Sequence, residues 1–259
     1  MTHPLRQKSH LLKEFFGFFL SGAGVAIYAF THATALRLPA VRQTFYRQIL
    51  FTGIQALLPV AVAGLVVGSG LLSQMCLLLG SGADLNVKMM QLVVFREFAP
   101  LLTSFIVLGR SGSAIATELA SMKVQGEIRL LYLLGINPGE YLLVPRILAC
   151  CVAVPMLTFV FQLVAVLAGP VIASLIVDLP LQPFYAALGN QISLGDIVLS
   201  LTKTFTLGLI IASVACSIGI YVPMKRTWIP QAAELSVLRS FILVLLADLA
   251  FAAISLLGS

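Results

Sequence analysis

"LGRSGSAIATELASMK", residues 108–123, sits inside a chain that is otherwise mostly apolar. Arg110, Glu118 and Lys123, interleaved with serines and a threonine, make this stretch too polar for a lipid-facing helix. It marks either a reactive site held within a membrane or the place where a membrane helix passes into water. Its surroundings decide between the two.

Of the 259 residues, 59% are hydrophobic and only 10% are charged, against about 25% charged in soluble domains. The chain therefore reads as an integral membrane protein of one domain. Its net charge of +6 does not point to nucleic acid, because the basic residues form no single run and instead punctuate the ends of apolar stretches. Cys76, Cys150, Cys151 and Cys216 all lie inside apolar stretches without metal-ligand spacing, so they read as small buried hydrophobes.

A membrane span needs roughly 20 mostly apolar residues. Gln48 to Ala83 is free of charge and contains a first span at about 50–79. The second, about 88–112, carries Arg96 and Glu97. Residues 113–140 are too polar to span. Ile147 to Val177, again uncharged, holds the third span. Asp178 to Asp196 reads as an external loop, followed by spans at about 197–222 and 237–257. Thirteen of the sixteen basic residues fall before the first span or in the 113–146 and 225–239 regions and their borders, on one side of this arrangement. That side is expected to be cytoplasmic, with the N-terminus inside and the C-terminus outside. Before the first span, His10, Lys13, Gly17, Ser21 and Gly24 recur on one helical face, and Leu11, Leu12, Phe15, Phe18 and Phe19 occupy the other. An amphipathic helix lying in the interface accounts for this better than a cleaved signal peptide. Arg37, Arg42 and Arg47 extend it as a basic elbow on lipid headgroups.

Gly109-Arg110-Ser111-Gly112 has the form of the GxSG box of intramembrane serine proteases. A nucleophilic Ser111 needs a base. The only histidines, His3, His10 and His32, precede the first span, and Lys203 is the only lysine well inside one. Nothing orients any of them towards Ser111. Small residues that let helices approach closely, with Arg110 snorkelling, are the better account of the motif. No catalytic residue and no metal site is assigned. No lysine follows a glycine, so a Walker A motif cannot occur and ATP hydrolysis must come from another subunit.

Residues 95–149, FREFAPLLTSFIVLGRSGSAIATELASMKVQGEIRLLYLLGINPGEYLLVPRILA, resemble the core signature of MlaE-type permeases. These are the membrane subunits of ABC lipid transporters that work with MCE-domain proteins. The matching positions are Arg96-Glu97 with Pro100, Gly109-Arg110 with Gly112, Glu118-Leu119 with Met122-Lys123, Gly135-Ile136-Asn137-Pro138, and Pro145-Arg146. Three departures stand out. Gly126-Glu127-Ile128-Arg129 replaces a more acidic Glu-Gln-Ile-Asp, Ala99 replaces a glycine, and KRTWIPQAAE (225–234) replaces a Gly-rich loop.

The resemblance implies one all-α permease domain over residues 1–259, with an interfacial helix and elbow at 1–47 and a bundle of five transmembrane helices at 48–259. It implies a homodimer in the bacterial inner membrane, moving phospholipid to or from a periplasmic MCE-domain protein and maintaining outer-membrane asymmetry. ATP and Mg would bind a partner ABC ATP-binding subunit, and a cytoplasmic STAS-domain subunit is a further partner to look for. A scaffold that anchors an MCE assembly without transport is the alternative. Arg96, Glu97 and Pro100 are candidates for the lipid pathway or dimer interface. A short cytoplasmic coupling helix over about 118–134 would carry Glu118, Met122, Lys123, Glu127, Arg129 and Leu130, with Met122 and Leu130 on one face. Gly64 and Gly68 form a GxxxG pair and, with Gly109 and Gly112, are assigned to helix packing. Pro59, Pro100, Pro155 and Pro170 interrupt spans and can kink them.

Overall fold

In a bilayer every backbone N–H and C=O must be satisfied within the protein, which leaves helices and closed barrels as the spanning structures. This chain takes the first course. A computed structural model describes residues 22, 24–32, 39–80, 82–177, 180–191 and 194–257. The expected amphipathic helix falls mostly outside them; only its end, a helical turn sequence over 24–31, is described. Among the described residues there is no strand, and five helices are long and apolar enough to cross a membrane. They are α1 (Val41–Leu78), α2 (Asp84–Val124), α4 (Gly139–Ala173), α6 (Leu194–Tyr221) and α7 (Trp228–Leu257). Two short helices, α3 (Glu127–Leu133) and α5 (Leu181–Gln191), lie between the spans.

Boundaries differ from expectation in five places. Helix runs unbroken from the elbow at Pro39 into the first span, across a π turn at Leu50–Ile54. The stretch after residue 112 does not leave the helix: α2 continues to Val124, because Ile115, Ala116, Leu119 and Ala120 are buried against the bundle and the charged Glu118 and Lys123 find partners on neighbouring helices. The expected helix over 118–134 is therefore two pieces, parted at Gly126, whose φ of 81° lies in the left-handed region that L-residues avoid. Glycine here costs no helix interior; it makes the break. The region 178–196, expected as a loop, holds α5, whose Phe184 and Ala187 pack into the same core as Val87 and Met90 of α2. Finally, α7 begins at Trp228 rather than near 237.

The helix stops have local causes. Gly80, at φ 81°, donates its N–H to Cys76 O after α1. Gly135, at φ 72°, ends α3 with Gly135 N–H on Tyr132 O and Ile136 N–H on Leu131 O. Asn137 then accepts the Gly139 N–H in a turn that opens α4. Pro59 and Pro155 sit inside continuous helix, and Pro170 follows a break at Ala168.

The most apolar windows of α4 and α6 are 56% and 50% buried, against 22% for α1 and α7, so α4 and α6 form the centre of the bundle. Close approach along them rests on small residues. A Cβ on Gly64 would lie 2.8 Å from Phe161 O, and one on Gly68 would lie 2.6 Å from Ala165 O, so α1 lies backbone-to-backbone on α4. Gly208 makes the same kind of contact with Cys150 O, and Gly219 with Ala116 and Leu119. The α1 and α7 surfaces meanwhile expose Leu58, Val62, Val66, Leu246, Leu249 and Ile254, which suits a hydrocarbon surround. All four cysteines are buried and unbridged.

Candidate functional site

Charged side chains inside spans cost roughly 2.5–3.5 kcal/mol each on insertion scales, so each needs a partner. Arg96 and Glu97 lie in a π turn of α2, Gln91–Phe98. Both turn to α6 and find different partners there. Arg96 Nη2 and Nε donate to Asp196 Oδ1 at 2.9 and 3.3 Å, and Gln91 Nε2 donates to Asp196 Oδ2. Lys203 Nζ donates to Glu97 Oε2 at 3.0 Å. Asp196 and Lys203 are seven residues apart, two helical turns, and so share one face of α6.

Lys203 is the centre of the network. Its side chain is 2% exposed, and a third span supplies its third contact, an ion pair at 2.7 Å to Asp248 Oδ1 of α7. It also donates to the backbone carbonyl of Arg96 at 3.0 Å. That carbonyl stands four residues before Pro100, which has no N–H to offer it. The ammonium thus hydrogen-bonds two oxygens of α2 and forms an ion pair with a third, on α7, which accepts no hydrogen bond. Central α4 joins through Gln162, whose Nε2 donates to Ser200 Oγ at 2.6 Å and to Phe95 O at 3.4 Å. Two cations face three carboxylates across α2, α6 and α7. The network is not sealed: the Arg96 and Glu97 side chains stay 41% and 44% exposed, while those of Asp196 and Asp248 are nearly buried. Asp196 and Asp248 were not among the residues singled out from sequence, and Lys203 was noted only as the one lysine well inside a span. For Lys203 and Asp248 the signal was a charge inside an apolar span, while Asp196 stood at the end of the expected loop, and nothing in the order of residues says which helices meet.

Ser111 is fully buried with its hydroxyl unpartnered. Lys203 is engaged with Glu97 and Asp248, and the His32 ring is stacked on Tyr28 at 4.2 Å and bonded to Tyr28 O. Neither serves Ser111 as a base. A Cβ on Gly112 would lie 3.3 Å from Ile211 Cγ2, whereas one on Gly109 would meet nothing within 4 Å.

The residues expected at an ATPase contact divide into two groups. Glu118 pairs with Arg146 of α4 at 2.9 Å, Met122 packs among α2, α4 and α6, and Lys123 donates to Ile220 O, so all three are tied into the bundle. Glu127, Arg129 and Leu130 are exposed on α3, beside exposed Leu133 and Leu134. Met122 and Leu130 do not share a face, because the left-handed Gly126 turns the chain between them. The turn after α3 is itself docked: Asn137 Nδ2 donates to Tyr28 Oη at 3.0 Å.

A family model described as Permease MlaE matches residues 45–254, most of the chain and all five spans. The chain belongs to the MlaE permease family. This MlaE permease is 27% identical over 234 residues to a probable ABC transporter permease protein of Rickettsia typhi, covering 89% of the chain and 90% of that protein. It is 31% identical over 159 residues to a probable ABC transporter permease protein of Synechocystis, or 61% of the chain and 60% of the relative. Over 153 residues it is 29% identical to Protein TRIGALACTOSYLDIACYLGLYCEROL 1, chloroplastic, of Arabidopsis thaliana, covering 59% of the chain and 44% of that protein. The MlaE permease is accordingly a multi-pass membrane protein, and its role is that of a permease subunit.

Proposed function

We propose that this permease forms the membrane path of an ABC transporter that moves phospholipid between the bacterial inner membrane and a periplasmic MCE-domain partner, and so maintains outer-membrane lipid asymmetry. One observation carries the reading: Arg96 and Glu97 are anchored from behind by Asp196 and Lys203 yet remain about two-fifths exposed at a membrane-spanning surface. Charges so placed call for a headgroup, a water-filled cavity or a second copy of the chain, and a homodimer with a lipid cavity between its halves supplies all three. The Arabidopsis relative, whose name refers to a galactolipid, favours a lipid substrate. The exposed α3, with Leu130, Leu133 and Leu134, is the surface on which a separate ATP-binding subunit, carrying ATP and Mg, would dock. The basic ends of the spans favour a cytoplasmic N-terminus, and a STAS-domain protein would join on that side.

The experiment is ATP-driven lipid transfer by the reconstituted complex, comparing Glu97→Lys with Glu97→Gln. Lysine would face the Lys203 ammonium and stand beside Arg96, so it should reduce transfer more than glutamine does. Normal transfer by both variants in an assembled complex would remove the network from the lipid path. Lys203, tied to α2 and α7 at once, also suits a static clamp, as a non-transporting scaffold for an MCE assembly would need. Absence of ATP-dependent transfer by an intact, ATP-hydrolysing complex would favour that scaffold.

A further inference from the structure

A second charged site lies apart from the network, at the end of the bundle where α1 and α4 begin and α2 ends. There a groove of about 990 Å³ opens among α1, α2 and α4, at the upper end of the range of small-molecule sites, about 300–1,000 Å³. Its polar wall is made by Gln43, Arg47, Gln48, Gln55, Glu118 and Arg146. Arg146 is the telling residue. Its side chain is 4% exposed and only Nη2 is paired, to Glu118, while Nε and Nη1 are buried without any partner. A guanidinium carries five donors and does not lose its charge, and leaving such donors unmade when buried is costly. A second guanidinium, Arg110, bonds Gln55 and lies 5.6 Å from the centre of the Phe51 ring, both of them groove residues. Its Nη1 is also buried and unpartnered. Around the groove itself two guanidiniums, Arg47 and Arg146, face one carboxylate, Glu118.

The other side of the groove is apolar. Leu50, Phe51 and Ile54 form it, Leu50 and Ile54 being exposed on the surface of α1. Ile54 also borders an apolar groove of about 480 Å³ between α1 and α4, lined by Leu57, Met156 and Phe159 among others. An occupant with an anionic head and apolar tails satisfies both walls, whereas a free anion satisfies one.

We propose that this groove binds the phosphate of a phospholipid headgroup, with Arg146 as the principal donor, Arg47 as the second cation and Glu118 as a competitor for Arg146. The site is independent of the transport reading: a chain that moves no lipid would still hold one here. The test is native mass spectrometry of the full chain, delipidated in detergent and titrated in separate arms. The probes are dioleoyl phosphatidylglycerol, dioleoylglycerol (the same tails without phosphate) and inorganic phosphate. One phosphatidylglycerol per chain should bind in preference to dioleoylglycerol. Arg146→Gln and the exposed Arg47→Gln should each weaken that binding, Arg146→Gln by about tenfold for a lost charge-assisted hydrogen bond. Glu118→Gln should strengthen it by freeing Nη2. Should Arg146→Gln fail to fold, Arg47→Gln and Glu118→Gln decide the matter alone. Equal binding of dioleoylglycerol, or unchanged binding in both of those variants, would overturn the proposal. Inorganic phosphate that binds as tightly and displaces the lipid would make the groove a free-anion site and overturn the lipid assignment.

Discussion

Lys203 illustrates what one residue contributes in this molecule. Buried among apolar helices, it is tolerable only because it hydrogen-bonds Glu97 and the Arg96 carbonyl and pairs its charge with Asp248. Removing one member of a buried ion pair leaves the other charge uncompensated and typically costs about 3–5 kcal/mol. Lys203→Met should therefore lower the thermal stability of the detergent-purified chain markedly, since Asp248 stays buried. Adding Asp248→Asn to that variant should restore part of the loss, because a neutral amide replaces the stranded carboxylate. A double variant no more stable than Lys203→Met alone would show that the pair is not coupled. Ser111→Ala, by contrast, should leave lipid transfer unchanged, as the hydroxyl has no partner and no base.

At the scale of helices, glycine has opposite uses in neighbouring elements. In α1 it permits contact: alanine at Gly68 would place a Cβ 2.6 Å from the Ala165 carbonyl oxygen, where only backbone could yield. Gly68→Ala should destabilise by about 1–3 kcal/mol, as overpacking does, visible as a lower melting temperature. Gly109→Ala, with open space around it, should be neutral or slightly stabilising. Between α2 and α3, Gly126 instead supplies a left-handed turn, after which α3 packs Ile128 and Leu131 on the bundle and leaves its opposite face open. Leu130 and Leu133, exposed on α3, then offer the apolar core of a docking surface. Changing both to aspartate should leave the spans inserted and strip the ATP-binding subunit from the purified complex. Retention of that subunit with unchanged coupling would move the contact elsewhere. Met122 is no longer a useful probe of that contact, because it packs inside the bundle.

Across the whole molecule, orientation is the property on which the cytoplasmic docking surface depends. A cysteine at Gln182, exposed at the start of α5, should react with an impermeant thiol reagent added from the periplasm, and one at Gln125 should not. The reverse pattern would invert the bundle and place α3 on the wrong side for an ATPase.

The existence and number of the spans were legible in the residue order, because uncharged runs such as Gln48 to Ala83 admit few other structures in a membrane chain. The motif stretch over 95–149 was equally legible as a family signature, and the family match over residues 45–254 agrees with it. Helix ends were less so. Residues 113–124 look aqueous by composition, yet stay helical because their apolar side chains are covered by α6 and α4, a fact about neighbours. The polar network lay furthest from view. Arg96 was visible as a costly charge, but Asp196 stands 100 residues away and Asp248 farther still. Local sequence sets which residues need partners, through the cost of placing charge in an apolar medium. Which partners they find is set by how α2, α6 and α7 cross, and that depends on close approaches such as Gly219 on Ala116, which only the packed tertiary structure decides.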